Sequence, residues 1–182
     1  VVWGRQEIVI PQVGGYNVYK ADLHSHTIFS DGQVNNTFRV NEAWQEGLDI
    51  MAVTEHIESR KFEDVMVRYT KRYHGGKYEK GVNTYIDDKK PIDKEEILVD
   101  LNFSVRESQN VAKGNGLLII PGTEITRNGR TVGHFNALFT TDNNKIYDPD
   151  PVQAVRNAKA QGALVMHNHP GWRQTSLDYT AT

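Results

Sequence analysis

The chain has 182 residues, 38% of them hydrophobic and 24% charged, enough for one domain with a sizeable core. A formal net charge of −2 gives no general attraction to nucleic acid or to an anionic membrane, and no apolar run is long enough to span a bilayer. Cysteine is absent, which excludes a disulfide framework, a thiolate metal site and a Cys nucleophile; any metal ion must be held by imidazole nitrogens and carboxylate oxygens.

Residues 1–18 read as an arm ahead of the main fold: Glu7-Ile8-Val9-Ile10 alternates like a short strand, and Pro11 and Gly14-Gly15 mark a turn. Val18–Leu23 is the first strand of the fold, and it runs into Asp22-Leu23-His24-Ser25-His26 and then Ser30-Asp31-Gly32. Strand alternation sends residues i and i+2 to one face, so His24 and His26 present two imidazoles side by side, with Asp31 in the loop that follows. Thr37–Glu46 carries Phe38, Val40, Ala43 and Trp44 at helical spacing, continued by Leu48, with Gly47 near its end. Ile50-Met51-Ala52-Val53-Thr54 is the continuous apolar run of a strand buried on both faces, and it leads directly into Glu55-His56.

From Ile57 to Ile92 the periodicity dissolves into a stretch rich in Lys, Arg and Tyr, which predicts a helical start and then a long insertion or lid. Asp93 with Glu96 resembles a capping box and predicts a helix with Ile97, Leu98, Leu101, Val105, Val111 and Ala112 inward, ending near Gly114. Leu117-Leu118-Ile119-Ile120 is the next buried strand and leads to Pro121-Gly122-Thr123-Glu124, and Val132–Phe139 is a further strand containing His134. Asp150 is an N-cap with Pro151 at the first helical position, the helix Val152–Gln161 stops at Gly162, and the strand Ala163–Met166 delivers His167-Asn168-His169-Pro170.

Strands alternating with helices predict an α/β fold built on a parallel sheet with right-handed crossovers, whose functional groups collect at the carboxyl ends of the strands. Six of the seven histidines lie at or beside strands, which makes metal binding the leading chemistry. Neutral imidazole and carboxylate suit Zn, Mn or Fe. His24, His26, Asp31, His56, Glu124, His134 and His169 are too many ligands for one ion, and a carboxylate such as Glu124 suits a bridge between two.

The ordered set Asp22-Leu23-His24-Ser25-His26-Thr27, Ser30-Asp31-Gly32, Thr54-Glu55-His56, Pro121-Gly122-Thr123-Glu124, Gly133-His134 and His169-Pro170 resembles the PHP family, the polymerase and histidinol phosphatase domains. The resemblance implies a distorted seven-stranded β/α barrel over residues 19–182 that holds two to three divalent ions and hydrolyses phosphate esters with a metal-activated hydroxide. It implies His24, His26 and Glu124 on a first ion, Glu124 bridging to a second held by His134 and His169, and Asp31 with His56 on a third. His169 is preferred to His167 because the family ligand directly precedes the proline, and Glu124 and His26 are the catalytic candidates. Arg60, Arg127 and Arg173, each just past a motif, suit the substrate phosphate.

The family's late Asp-x-His pair has no counterpart after His169, where Asp178 is followed by Tyr179 and Thr180. The expectation is an N-terminal portion of a longer protein, with the last barrel strands missing and an incomplete ligand shell. The expected partner is a small-molecule phosphate ester or nucleotide, with no membrane. A nuclease for single-stranded nucleic acid is the alternative, from Lys71, Arg72, Lys77, Lys80, Lys89 and Lys90 interleaved with Tyr69, Tyr73, Tyr78 and Tyr85; Asp87, Asp88 and the acidic balance argue against it. A non-catalytic metal-binding module is the third reading. A soluble chain starting at Val1 leaves cytoplasm open, and equally secretion or periplasm after signal removal.

Overall fold

The computed structural model describes residues 4–59, 66, 99–126 and 133–170. Most of the 57–92 insertion, the Asp93–Glu96 box, Asp178, and Arg60, Arg127 and Arg173 lie outside them. The described elements are β1 (Ala21–Asp22), α1 (Asn36–Gln45), β2 (Ile50–Val53), α2 (Phe103–Ala112), β3 (Leu118–Thr126), β4 (His134–Leu138), α3 (Pro151–Ala160) and β5 (Leu164–Asn168). The strands form one curled, open sheet in the order β1-β2-β3-β4-β5, a half-barrel. Among the described residues no helix is long and apolar enough to cross a membrane.

Local chemistry sets the helix ends. Asn35 caps α1 by accepting the Phe38 N–H at 2.8 Å. At the other end Gly47 adopts φ 85°, and the Gly47 and Leu48 N–H groups bond Trp44 and Ala43 carbonyls at 3.0 Å, a Schellman closure. Arg5 in the arm donates to the carbonyls of Gly47 and Leu48 and pairs with Asp49 at 2.6 Å, so the arm is tied to the end of α1. The arm forms no strand at Glu7–Ile10; among its described residues the β pairing is the bridge between Val13 and Tyr16 around Gly14-Gly15. Asp150 caps α3 through the Val152 N–H at 3.1 Å, with Pro151 at its start.

Two expectations are corrected. Residues 99–102 are not helical: Asp100 accepts the Asn102 N–H at 3.1 Å and Leu101 N–H goes to Asn144 Oδ1 at 2.9 Å, so the helix begins at Phe103. The sheet is also not wholly parallel. β1, β2 and β3 run parallel, but β4 is antiparallel to both β3 and β5. Residues 127–133 are the whole connection from β3 to β4, too short for the dozen or so residues a parallel crossover needs. β5 therefore runs with β1–β3, and their carboxyl ends meet the amino end of β4 at one edge of the sheet.

Alternation divides the two faces. Outward, Met51, Val53 and Ile119 pack with Val40 and Ala43 of α1 and Val105 and Ala112 of α2, while Ile125, Phe135 and Ala137 pack with Ile146, Tyr147, Ala154 and Ala158. Each fully buried Val or Ile in such layers contributes about 1.5–3 kcal/mol. The concave face carries a smaller cluster, Ala52, Ile120 and Leu138, with Ile50 and Met166 against it. Asn36 Nδ2 donates to Ser104 Oγ at 2.8 Å, Ser104 O at 3.0 Å and Ser108 Oγ at 2.9 Å and so pins α1 to α2 in a buried setting. Asn36→Ala is expected to lower stability by about 1–3 kcal/mol, measured by thermal melting, because it strands those buried groups.

Candidate metal centre

The edge where the strands converge carries the chemically capable side chains. His24 and His26 follow the last pair of β1, yet the strand alternation persists: Ser25 between them is buried and exchanges hydrogen bonds with Thr54 through its N–H at 3.1 Å and its carbonyl at 3.0 Å. The two imidazoles therefore share a face, Nε2 to Nε2 at 2.9 Å. His56 follows β2 and forms an isolated parallel bridge with Glu124, whose own backbone continues β3. His134 opens β4 opposite Thr126 and Asn168.

Glu124, 1% exposed, is the hub. Its Oε2 lies 3.3 Å from His24 Nε2, 3.1 Å from His26 Nε2 and 3.1 Å from His56 Nδ1. Its Oε1 lies 3.4 Å from His134 Nδ1 and 3.4 Å from His169 Nε2. Asp31, more exposed, reaches His56 Nε2 at 3.2 Å and His26 Nδ1 at 3.4 Å. Among the described residues, two groups of ligand atoms are tight enough to hold an ion, His24-Glu124-His169 and His26-His56-Glu124, and Glu124 is common to both. With metal–nitrogen bonds of about 2.1 Å, neighbouring ligands of a tetrahedral ion lie about 3.4 Å apart, so these spacings fit a first-row divalent cation and the all-N/O donor set favours one.

The end of β5 decides which histidine joins the cluster. Val165 and His167 point outward, where the His167 ring stacks on Phe135 with centroids 4.9 Å apart. Asn168 points inward. Strict alternation sends His169 outward again, but His169 adopts φ 27°, a left-handed conformation costly for a non-glycine residue, and its ring turns back to Glu124. A kink at the strand end thus aims two successive residues at one carboxylate.

Sequence reading passed over the groups behind the histidines. Ser30 Oγ meets His26 Nδ1 at 3.0 Å and donates to the buried Glu55, which also accepts from Thr27 N–H at 3.1 Å, Thr27 Oγ1 and, at 2.8 Å, Ser104 Oγ. Thr126 Oγ1 contacts His56 Nδ1 at 2.7 Å. Glu55 sits in a quoted motif, but only long-range contacts separate its role from that of His56. Gly32 lets the Asp31 loop close: a Cβ there lies 2.7 Å from the His26 carbonyl.

Burial opposes ionisation of Glu124, but hydrogen bonds from His134, His24 and His26 and the charge of His56 hold its carboxyl far below the usual range. Burial likewise opposes, and His56 and His26 outweigh it, at Asp31, which is also lowered. Burial lowers His56 and His169, whereas at His26 burial is outweighed by Glu124, Asp31 and Glu55, and the pKa rises. A carboxyl depressed in the fold stabilises above its unfolded pKa and loses that contribution as pH falls through the folded value. The metal-free chain is therefore expected to melt at progressively lower temperature below about pH 4, the ordinary carboxyl range, and Glu124→Gln to flatten that acid limb in calorimetry.

A curled α/β half-barrel with imidazoles and a buried carboxylate at one strand edge defines a candidate metal-binding site. No family model matches the chain, and no curated protein matches it. Among solved structures, a two-domain protein from Bacteroides vulgatus described as containing a PHP-like metal-dependent phosphoesterase is 34% identical, with a TM-score of 0.69, over 97% of this chain and 44% of that one. The chain thus spans less than half of that protein's length. A protein from Bifidobacterium adolescentis described as a metal-dependent phosphoesterase superposes with a TM-score of 0.39 at 21% identity, over 79% of this chain and 33% of its own. An amidohydrolase from Chromobacterium violaceum with bound sulfate and no metal gives 0.39 at 18% identity, over 77% and 32%. Neither of these two looser likenesses constrains this chain. The chain has a PHP-like metal-dependent phosphoesterase fold with two candidate metal-binding clusters.

Proposed function

We propose that this chain hydrolyses a phosphate ester at a site of two to three divalent ions, Zn, Mn or Fe, with Glu124 as the bridging ligand. The observation that carries the reading is the single buried carboxylate shared by two ligand triads, one oxygen facing His24, His26 and His56 and the other His134 and His169. Bound ions supply Lewis acidity and a nucleophile at neutral pH from coordinated water. The residues do the rest. His24, His26 and His56 beside Oε2 of Glu124, and His134 and His169 beside Oε1, surround the one carboxylate and would hold the ions. Asp31 keeps the rim beside His56 and His26 anionic. Ser30 orients the His26 ring through Nδ1, leaving Nε2 for the cleft.

The substrate we propose is a small phosphate ester or nucleotide, with Arg60, Arg127 and Arg173 as phosphate-binding candidates. The test is hydrolysis of p-nitrophenyl phosphate, bis(p-nitrophenyl) phosphate and a panel of nucleotides with Mn or Zn added back to the chelated chain. Metal-restored turnover that His26→Ala abolishes is the expected result. Activity undiminished by exhaustive metal removal would sink the reading. Salt-dependent binding and cleavage of single-stranded DNA would move it to the nuclease.

A further inference from the structure

Asn168 and Asn136 are buried amides beside Glu124. Asn168 Nδ2 lies 2.8 Å from Glu124 Oε1 and 2.8 Å from Asn136 Oδ1, so both of its N–H groups are used. Asn136, on β4 opposite Glu124, donates from Nδ2 to the Leu23 carbonyl at 3.2 Å, the residue before His24. Asn136 is fully buried and Asn168 6% exposed.

We propose that Asn168, braced by Asn136, is a positioning residue that fixes the rotation of the Glu124 carboxylate between its two ligand triads. This rests on the metal-centre reading above. The amide directions follow from chemistry: a flipped Asn168 would set its carbonyl oxygen against the Glu124 oxygen, acceptor against acceptor, and would lose the Asn136 bond as well. With Asn136 held by Leu23, the relay leaves one orientation for each amide. The bond engages Oε1 alone, so Oε2 stays turned to His24, His26 and His56. An amide also orients the carboxylate without neutralising it, so its full charge remains for cations. A Lys or Arg in that place would compete with them.

The test is a titration of the full chain with Co(II), followed by its visible absorption, for wild type, N168A and N136A, with melting of each metal-free protein. N168A is expected to weaken Co(II) binding about 10–100-fold, the usual cost of losing a group that orients a ligand, and to change the absorption spectrum. N136A reports in the same direction with smaller effect, and it stands in if N168A fails to fold. Wild-type affinity and spectrum in both N168A and N136A, or a loss of affinity with an unchanged spectrum, would overturn the proposal while the metal centre stands. A wild-type chain that takes up no Co(II) overturns the metal centre itself and this role with it.

Discussion

Glu124→Gln is expected to remove metal binding at both triads and to lower phosphoester turnover by about a thousandfold or more, several kcal/mol of transition-state stabilisation. The substitution keeps the shape of the side chain and takes away one anionic ligand that two groups of histidines share. A carboxamide nitrogen has no lone pair to offer a cation, and its neutral oxygen is a weaker ligand than either carboxylate oxygen. The fold tolerates the change: the amide oxygen accepts from Asn168, and the amide N–H groups face the imidazole nitrogens of His24, His26 and His56. Metal stoichiometry by elemental analysis after gel filtration, read beside steady-state hydrolysis, checks both halves. His26→Ala, by contrast, takes one ligand from one triad and is expected to leave an ion at the His24-Glu124-His169 group. Full stoichiometry in Glu124→Gln would show that the carboxylate is not the shared ligand.

Glu55→Ala is expected to be the most destabilising substitution near the site, by about 3–5 kcal/mol, because several buried donors lose their acceptor at about 1–3 kcal/mol each. Glu55 is buried and gathers the Thr27 N–H, the Thr27 and Ser30 hydroxyls and the Ser104 hydroxyl, which ties the Asp31 loop to α2. Alanine leaves those donors without an acceptor in a dry environment. For a domain of this size the loss corresponds to a fall in melting temperature of roughly 6–20 °C. Glu55→Gln is expected to fall between wild type and alanine, since the amide keeps one acceptor and turns the other into a donor facing donors. Because Ser30 also contacts His26 Nδ1, metal affinity should fall with stability in both variants. A change in melting temperature of a degree or two for Glu55→Ala would show that Thr27 and Ser30 find other partners.

Much of the candidate site is legible in the sequence because its candidate metal-holding side chains are strong local signals. His-x-His across a strand end needs only alternation to place two imidazoles together, and Asp150-Pro151 and Gly47 mark helix ends by backbone chemistry within a few residues. The apolar run at Ile50–Val53 identifies a buried strand for the same reason: burial on both faces requires continuous hydrophobicity, whereas the run at Leu118–Ile120 marks a strand whose Leu118 is exposed.

Other features depended on partners far along the chain. Nothing within β4 states that it runs against its neighbours; the short 127–133 connection and the pairing of Glu124 with Asn136 impose it. Nothing in His167-Asn168-His169 tells the two histidines apart by type. The outward packing of His167 on Phe135 and the positive φ of His169 do so. Glu55 and Asn168 look like ordinary polar residues until Ser104, Thr27, Asn136 and Glu124 are brought within hydrogen-bond range. Ligand identity is a property of single side chains and short spacings. Strand direction, side-chain facing and the orientation of a buried carboxylate are properties of long-range pairing, and they come into being only when the sheet closes around Glu124.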